Sequence, residues 1–139
     1  MSVKIEINRL NDGFHLQGVN DNGNTVDIDA SPDIGGQGLG MRPMQLLLTS
    51  LGACGTMDII NILKKQRQPL EDIKITVTGE REPGVEPAPY IAAHIHFRLF
   101  GKLDQDKVQK AVSLSVEKYC SVAETIKKTT KITYSFEII

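Results

Sequence analysis

Tryptophan is absent from this chain of 139 residues, aromatics make up only 5%, and charge is nearly balanced at 16 basic against 17 acidic residues. These shortages exclude a class of function. Binding nucleic acid needs a basic stripe for phosphates and aromatic platforms for unpaired bases, and the sequence offers neither. Anionic membrane surfaces lose their attraction for the same reason. No run approaches the roughly 18 apolar residues of a membrane span, and the opening MSVKIEINRL alternates polar with apolar residues instead of forming the apolar stretch of a signal peptide. The expected location is cytoplasmic, with neither nucleic acid nor membrane as a partner. Cysteine is scarce as well. Cys54 and Cys120 lie far apart without a C-x-x-C motif. In a reducing compartment such a pair is more often two free thiols or a catalytic pair than a structural staple. No cofactor is implied.

What the sequence does have is a long apolar stretch, RPMQLLLTSLGACGTMDIINILKKQR, over residues 42–67. Pro43 suits a first helical turn, where a missing N–H costs nothing, and the Gly-rich IGGQGLG before it cannot be helix. Lys64, Lys65 and Arg67 favour the C-terminal dipole, and Pro69 prevents continuation. Leu46, Leu47, Leu48, Leu51, Met57, Ile59, Ile60, Ile62 and Leu63 cover too wide an arc for one face, so a sheet on one side and a second subunit on the other are expected. Gly52 and Gly55 flank Cys54, although each interior helical glycine costs about 1 kcal/mol. Either a backbone or small substrate approaches closely there, or the helix is simply tightly packed.

The remaining chain wraps this helix. Val3, Ile5 and Ile7 alternate with Lys4 and Glu6 as in a half-buried strand. Asn11-Asp12-Gly13 predicts a tight hairpin turn, Phe14 and Leu16 a return strand, and Asn22-Gly23 a second hairpin leading to Val26 and Ile28. Residues 1–30 thus form a three-stranded meander, and 31–41, with Pro32 and four glycines, form a mobile loop. Within the helix-sheet core over 42–139, Ile73, Ile75 and Val77 alternate as a strand. Ile91, Ala93, Ile95, Phe97 and Leu99 share one face of another, opposite His94, His96 and Arg98. Asp104 can cap a helix running to about Tyr119, and Ser121 with Glu124 forms an S-x-x-E capping box for a short helix through about Lys127. Ile132, Tyr134, Phe136 and Ile138 give a final strand. The order β-β-β-α-β-β-α-α-β predicts one α+β domain over 1–139, with the buried helix packed on antiparallel sheets. A chain of this length buries roughly two-thirds of its unfolded surface.

Cys54 reads either as a small buried hydrophobe or as a reactive thiol. Asp58, one turn on, opposes a thiolate there unless a cation offsets it, and Arg9 and Arg42 are the candidate cations. Cys120 lies at a helix start beside Lys118, where dipole and cation lower a thiol pKa. His94 and His96 complete a donor set for zinc with the two cysteines, but the spacing is not that of a zinc motif. No nucleophile motif supports a Cys-His hydrolase.

The stretch RPMQLLLTSLGACGTMDIINIL, followed later by EKYCSVAETI, resembles the OsmC/Ohr family of small thiol proteins, most closely its YhfA-like branch. The likeness runs over nearly the whole chain. It implies an intertwined homodimer with paired central helices and active sites at the interface. It further implies reduction of organic hydroperoxides by a cysteine pair and regeneration by a lipoyl-type dithiol. By position, Cys54 would be the peroxidatic cysteine and Cys120 the resolving one, with Arg9 or Arg42 beside the thiol and Met44, Gln45 and Leu51 around the substrate. The family pattern after the helix-starting proline is P-E-E/Q. Here Met44 stands in the place of the first glutamate. The alternative is a non-catalytic protein of this fold that binds a small apolar or thiol-reactive ligand at the interface.

Overall fold

The computed structural model describes every residue from Met1 to Ile139. Its strands are β1 (Glu6–Arg9), β2 (Leu16–Val19), β3 (Thr25–Ile28), β4 (Asp72–Arg81), β5 (Tyr90–Phe100) and β6 (Lys131–Ile138). Helix α1 (Pro43–Lys65) follows β3, and α2 (Gln105–Leu114) and α3 (Ser121–Ile126) lie between β5 and β6. This is the order read from the sequence, and the class is α+β. The chain folds as two compact units, residues 1–47 and 48–139.

The N-terminal unit carries the antiparallel meander β1-β2-β3. Gly23, at φ 85°, takes the left-handed conformation the second turn needs. The first turn differs from expectation because Gly13 does not supply a positive φ. Instead the Asn11 side chain accepts from the Gly13 N–H (2.9 Å) and the His15 N–H (3.2 Å), a side-chain substitute for a backbone turn. Arg9 closes the same turn, donating from Nε to the Gly13 carbonyl at 2.9 Å and from its other guanidinium end to the Asp12 carbonyl. The first strand is not half-buried: Ile5 and Ile7 stand 54% and 61% exposed.

Residues 31–41 are tied down rather than loose. The buried Asp29 carboxylate accepts from Ala30 N–H at 2.7 Å, Gln37 N–H at 3.0 Å and Leu39 N–H at 3.1 Å, spanning the Gly-rich stretch. A single 3-10 turn at Pro32–Ile34 lies inside it. Gly36 and Gly40 are required there, since a Cβ would lie 1.8 Å from the Ala30 carbonyl oxygen and 2.4 Å from the Asp27 carbonyl carbon. The N–H donors of Gln37 and Leu39 favour the ionised Asp29 and hold its pKa below the ordinary carboxylate value. Because the folded pKa is depressed, the stabilisation is complete above the unfolded value of about 4 and fades as pH falls through the folded one. Asp29→Asn should therefore be less stable than the parent at pH 7, with the gap closing in acid. Parallel urea titrations at pH 7 and pH 3 check this, and a gap independent of pH would refute it.

In the second unit β4 pairs antiparallel with β5, but β5 pairs parallel with β6, so the sheet is mixed rather than wholly antiparallel. The cause is the crossover: α2 and α3 carry the chain back to the start of β5 before β6 begins. Ala93, Ile95, Phe97 and Leu99 of β5 are buried against Leu51, Ile59 and Leu63 of α1 and Val108, Ala111 and Val112 of α2. Ile91 departs from the alternation and lies 41% exposed because it is the extra residue of the bulge, between Ala92 paired with Glu80 and Tyr90 paired with Arg81.

Helix α1 ends in a Schellman motif, with Gln68 N–H bonded to Leu63 O and Arg67 N–H to Lys64 O. Arg67 sits at φ 55°, where glycine is usual. By length and composition α1 is apolar enough to cross a membrane, a property concealed in the sequence by its interrupted hydrophobic runs. Leu51, Ile59 and Leu63 enter the core, whereas Met57 and Ile60, at 69% and 43% exposure, remain outside it.

Candidate active site

The site is built where α1 crosses the second sheet. Gly52 lets the helix down onto β4: a Cβ there would meet Val77 Cγ2 at 2.7 Å. Gly55 faces Ser115 Oγ at 3.4 Å and the Phe97 ring at 3.5 Å from its hypothetical Cβ. The two glycines thus serve tight packing of helix on sheet, the second of the two readings the sequence allowed. They fix the depth of Cys54 between them, and its thiol is half-buried.

Cys120 is delivered by an irregularity the sequence did not announce. After α2 the chain widens into a π-turn over Ser115–Tyr119, and the Cys120 N–H reaches the Ser115 carbonyl at 2.8 Å. Such insertions re-aim side chains and are frequent at functional sites. Ser115, fully buried, donates from Oγ to the Gly55 carbonyl at 2.7 Å, pinning the π-turn to the turn of α1 that carries Cys54. Both thiols are free, and they lie near enough for Cys54 to act electrostatically on Cys120.

The cap of α3 is shifted by one residue from the expected capping box. Cys120, not Ser121, is the N-cap, its Sγ accepting from Ala123 N–H at 3.4 Å. The expected low thiol pKa is overturned. Burial, with Cys120 only 4% exposed, outweighs the Ala123 N–H, and the hydrogen bond and charge of Cys54 add to the rise, pushing the Cys120 thiol up to about 11. Cys120 is therefore held as S–H at neutral pH. Burial likewise raises the Asp58 pKa above the ordinary carboxylate value.

His94 and His96 are not brought to the cysteines. His94 bonds Thr133 Oγ1 at 2.7 Å and Ser135 Oγ at 2.8 Å, and His96 bonds Ser135 Oγ at 2.7 Å and Glu137 Oε1 at 3.2 Å. They cross-link β5 to β6, and no three metal-ligating side chains come together anywhere in the chain. Leu51 is a fully buried core residue. Arg9, Arg42, Met44 and Gln45 belong to the N-terminal unit. There Arg42 is exposed, Met44 is half-buried, and Gln45 Oε1 accepts from the Arg42 N–H at 2.9 Å, half of a capping box at the start of α1. Ser115 and Phe97, which position the pair, carried no sequence signal beyond helical spacing and strand alternation.

Residues 36–135 match a family model described as OsmC-like protein. The protein YhfA of Escherichia coli K12 is 41% identical over 100 residues, covering 70% of this chain and 72% of that protein. A hypothetical protein of Aquifex aeolicus VF5 superposes with a TM-score of 0.81 at 30% identity, over 100% of this chain and 98% of the other. The organic hydroperoxide resistance protein OhrB of Bacillus subtilis superposes with a TM-score of 0.67 at 18% identity, over 99% and 98%.

Proposed function

Because the chain belongs to the OsmC-like family, we propose that it is a thiol-dependent peroxidase that reduces organic hydroperoxides through Cys54 and Cys120. The observation that carries this reading is the nearness of two free thiols, a half-buried one and a buried one, with Cys54 acting electrostatically on Cys120. Cys54 is the nucleophile. Its thiolate attacks the outer peroxide oxygen, the O–O bond breaks, and the departing alkoxide takes a proton to leave as alcohol. The Cys120 S–H then meets the sulfenic acid. An S–S bond forms and the hydroxyl leaves with the Cys120 proton as water. A dithiol returns both cysteines to thiols.

The protein would work as a homodimer. Met57 and Ile60 on α1, and Ile5 and Ile7 at the meander, are apolar side chains left uncovered within one chain, and a second copy gives them cover. A cytoplasmic location fits free thiols. Met44 in place of the family glutamate favours, as the second reading, a member that binds a thiol-reactive ligand without turning it over.

One equivalent of cumene hydroperoxide should convert two titratable thiols into one intramolecular disulfide, seen by intact mass. Unchanged thiols would refute the peroxidase reading in favour of the second. Light scattering should give twice the chain mass, and a monomer would refute the dimer.

A further inference from the structure

On the face of the second sheet turned away from α1, we propose that Ser135 is the nucleophile of a second activity, the transfer of small acyl groups from activated esters and thioesters. His96 is its general base, and His94 supplies the donor for the carbonyl oxygen.

Strand register assembles the group. Across the parallel pair of β5 and β6, His94 lies opposite Thr133, His96 opposite Ser135 and Arg98 opposite Glu137. Each imidazole also reaches diagonally along β6, so the half-buried Ser135 Oγ sits between two rings, 2.8 Å from His94 Nε2 and 2.7 Å from His96 Nδ1. His94 Nδ1 meets Thr133 Oγ1 at 2.7 Å, and His96 Nε2 meets Glu137 Oε1 at 3.2 Å. With both rings neutral, the protons in this row have one consistent arrangement. The exposed Glu137 carboxylate can only accept, so His96 carries its proton on Nε2 and offers Nδ1 as an acceptor. Ser135 must then donate its O–H to His96. Its oxygen accepts the Nε2–H of His94, whose Nδ1 accepts from Thr133.

That arrangement holds the three parts acyl transfer needs. A hydroxyl donates to an imidazole that a carboxylate orients, and an N–H donor stands 2.8 Å from the nucleophile on its other side. In the first step Ser135 Oγ bonds to the acyl carbon and its proton passes to His96 Nδ1, while Glu137 holds the imidazolium at Nε2. The carbonyl oxygen takes the electron pair within reach of the His94 N–H. When the pair returns, the bond from carbon to the leaving oxygen or sulfur breaks, and His96 gives that atom the proton. Water, deprotonated by His96, then frees the acyl group as an acid and restores Ser135. No electrons are exchanged and no thiol takes part. Thr76 and Thr78 of β4, opposite His96 and His94, flank the row with exposed hydroxyls instead of an apolar wall, so the acyl group is short.

The test is cleavage of p-nitrophenyl acetate by protein carrying both Cys54→Ser and Cys120→Ser, where no thiol competes for the acyl group. A burst of about one equivalent of p-nitrophenol per chain should precede a slower steady release, and acid quenching should leave acetyl on the Ser135 peptide. Adding Ser135→Ala should lower the release at least about a hundredfold, and Ser135→Cys should restore the burst. Glu137→Gln, which keeps an acceptor for His96 but no charge, should slow the burst and leave its size unchanged. Parent protein gives a second measurement: diethyl p-nitrophenyl phosphate, which phosphorylates activated serines, should mark Ser135. Acetyl confined to lysines, release by Ser135→Ala at the rate of its background, or parent protein unmarked at Ser135 overturns the proposal, since a row that only ties β5 to β6 leaves Ser135 an ordinary alcohol.

Discussion

Cys54→Ser protein should lose hydroperoxide consumption by roughly a thousandfold or more, whereas Cys120→Ser protein should complete one fast turnover and then stall. The asymmetry comes from the environments of the two sulfurs. Cys120 is 4% exposed, and its thiol is held near 11, so at neutral pH it offers almost no thiolate and little access. Cys54 is the more open of the two. A serine at 54 has no accessible anion at this pH, and Cys120 cannot take over. With serine at 120, Cys54 still attacks, but its sulfenic acid finds no thiol and oxidises further to the sulfinic acid. The measurement is loss of cumene hydroperoxide with time, with peptide mass mapping of the Cys54 oxidation state. Iodoacetamide at pH 8 should also label Cys54 ahead of Cys120 in the parent. Hydroperoxide consumption by Cys54→Ser at the parental rate would reverse the assignment.

How much of this was legible in the sequence depended on how local the signal was. Helix α1 was legible because its start, its C-terminal cations and its apolar arc lie in one continuous stretch. The alternation of Ala93, Ile95, Phe97 and Leu99 likewise placed β5 with its core face. The parallel pairing of β5 with β6 was not legible, because strand direction depends on where the crossover returns the chain. The capping box Ser121-x-x-Glu124 misled by one residue. A thiol is a weak acceptor seldom read as a cap, yet the π-turn puts Cys120 Sγ where the Ala123 N–H can reach it. The pKa of Cys120 failed for a related reason: dipole and cation are visible in local sequence, but burial by α1 and the sheet is not. Pairing of the two cysteines came from resemblance alone. Its physical basis, the Ser115 bond to the Gly55 carbonyl, joins residues that no local pattern connects.

Phe97→Ala should destabilise the protein by about 3–5 kcal/mol, the largest loss expected from a single core truncation here. Phe97 is fully buried at the centre of β5, opposite Ile75 of β4 and Phe136 of β6. Gly55 rests over its ring, leaving a Cβ-sized approach of 3.5 Å. Removing the ring forfeits its transfer energy and opens a cavity. Glycine above it has no side chain with which to fill the space, so relaxation cannot recover much of the cost. For a chain of this size the melting temperature should fall by roughly 10–20 °C. The functional consequence follows from the same geometry. The turn of α1 over Phe97 holds both Cys54 and the carbonyl that fixes Ser115, so a loosened floor misaligns the two sulfurs before the chain unfolds. Diamide should then form the Cys54–Cys120 disulfide more slowly in Phe97→Ala than in the parent at a temperature where both are folded. Urea unfolding measures the first effect and thiol titration the second. A loss below about 1 kcal/mol would mean the ring is not seated beneath Gly55, and the account of how the pair is positioned would fail with it.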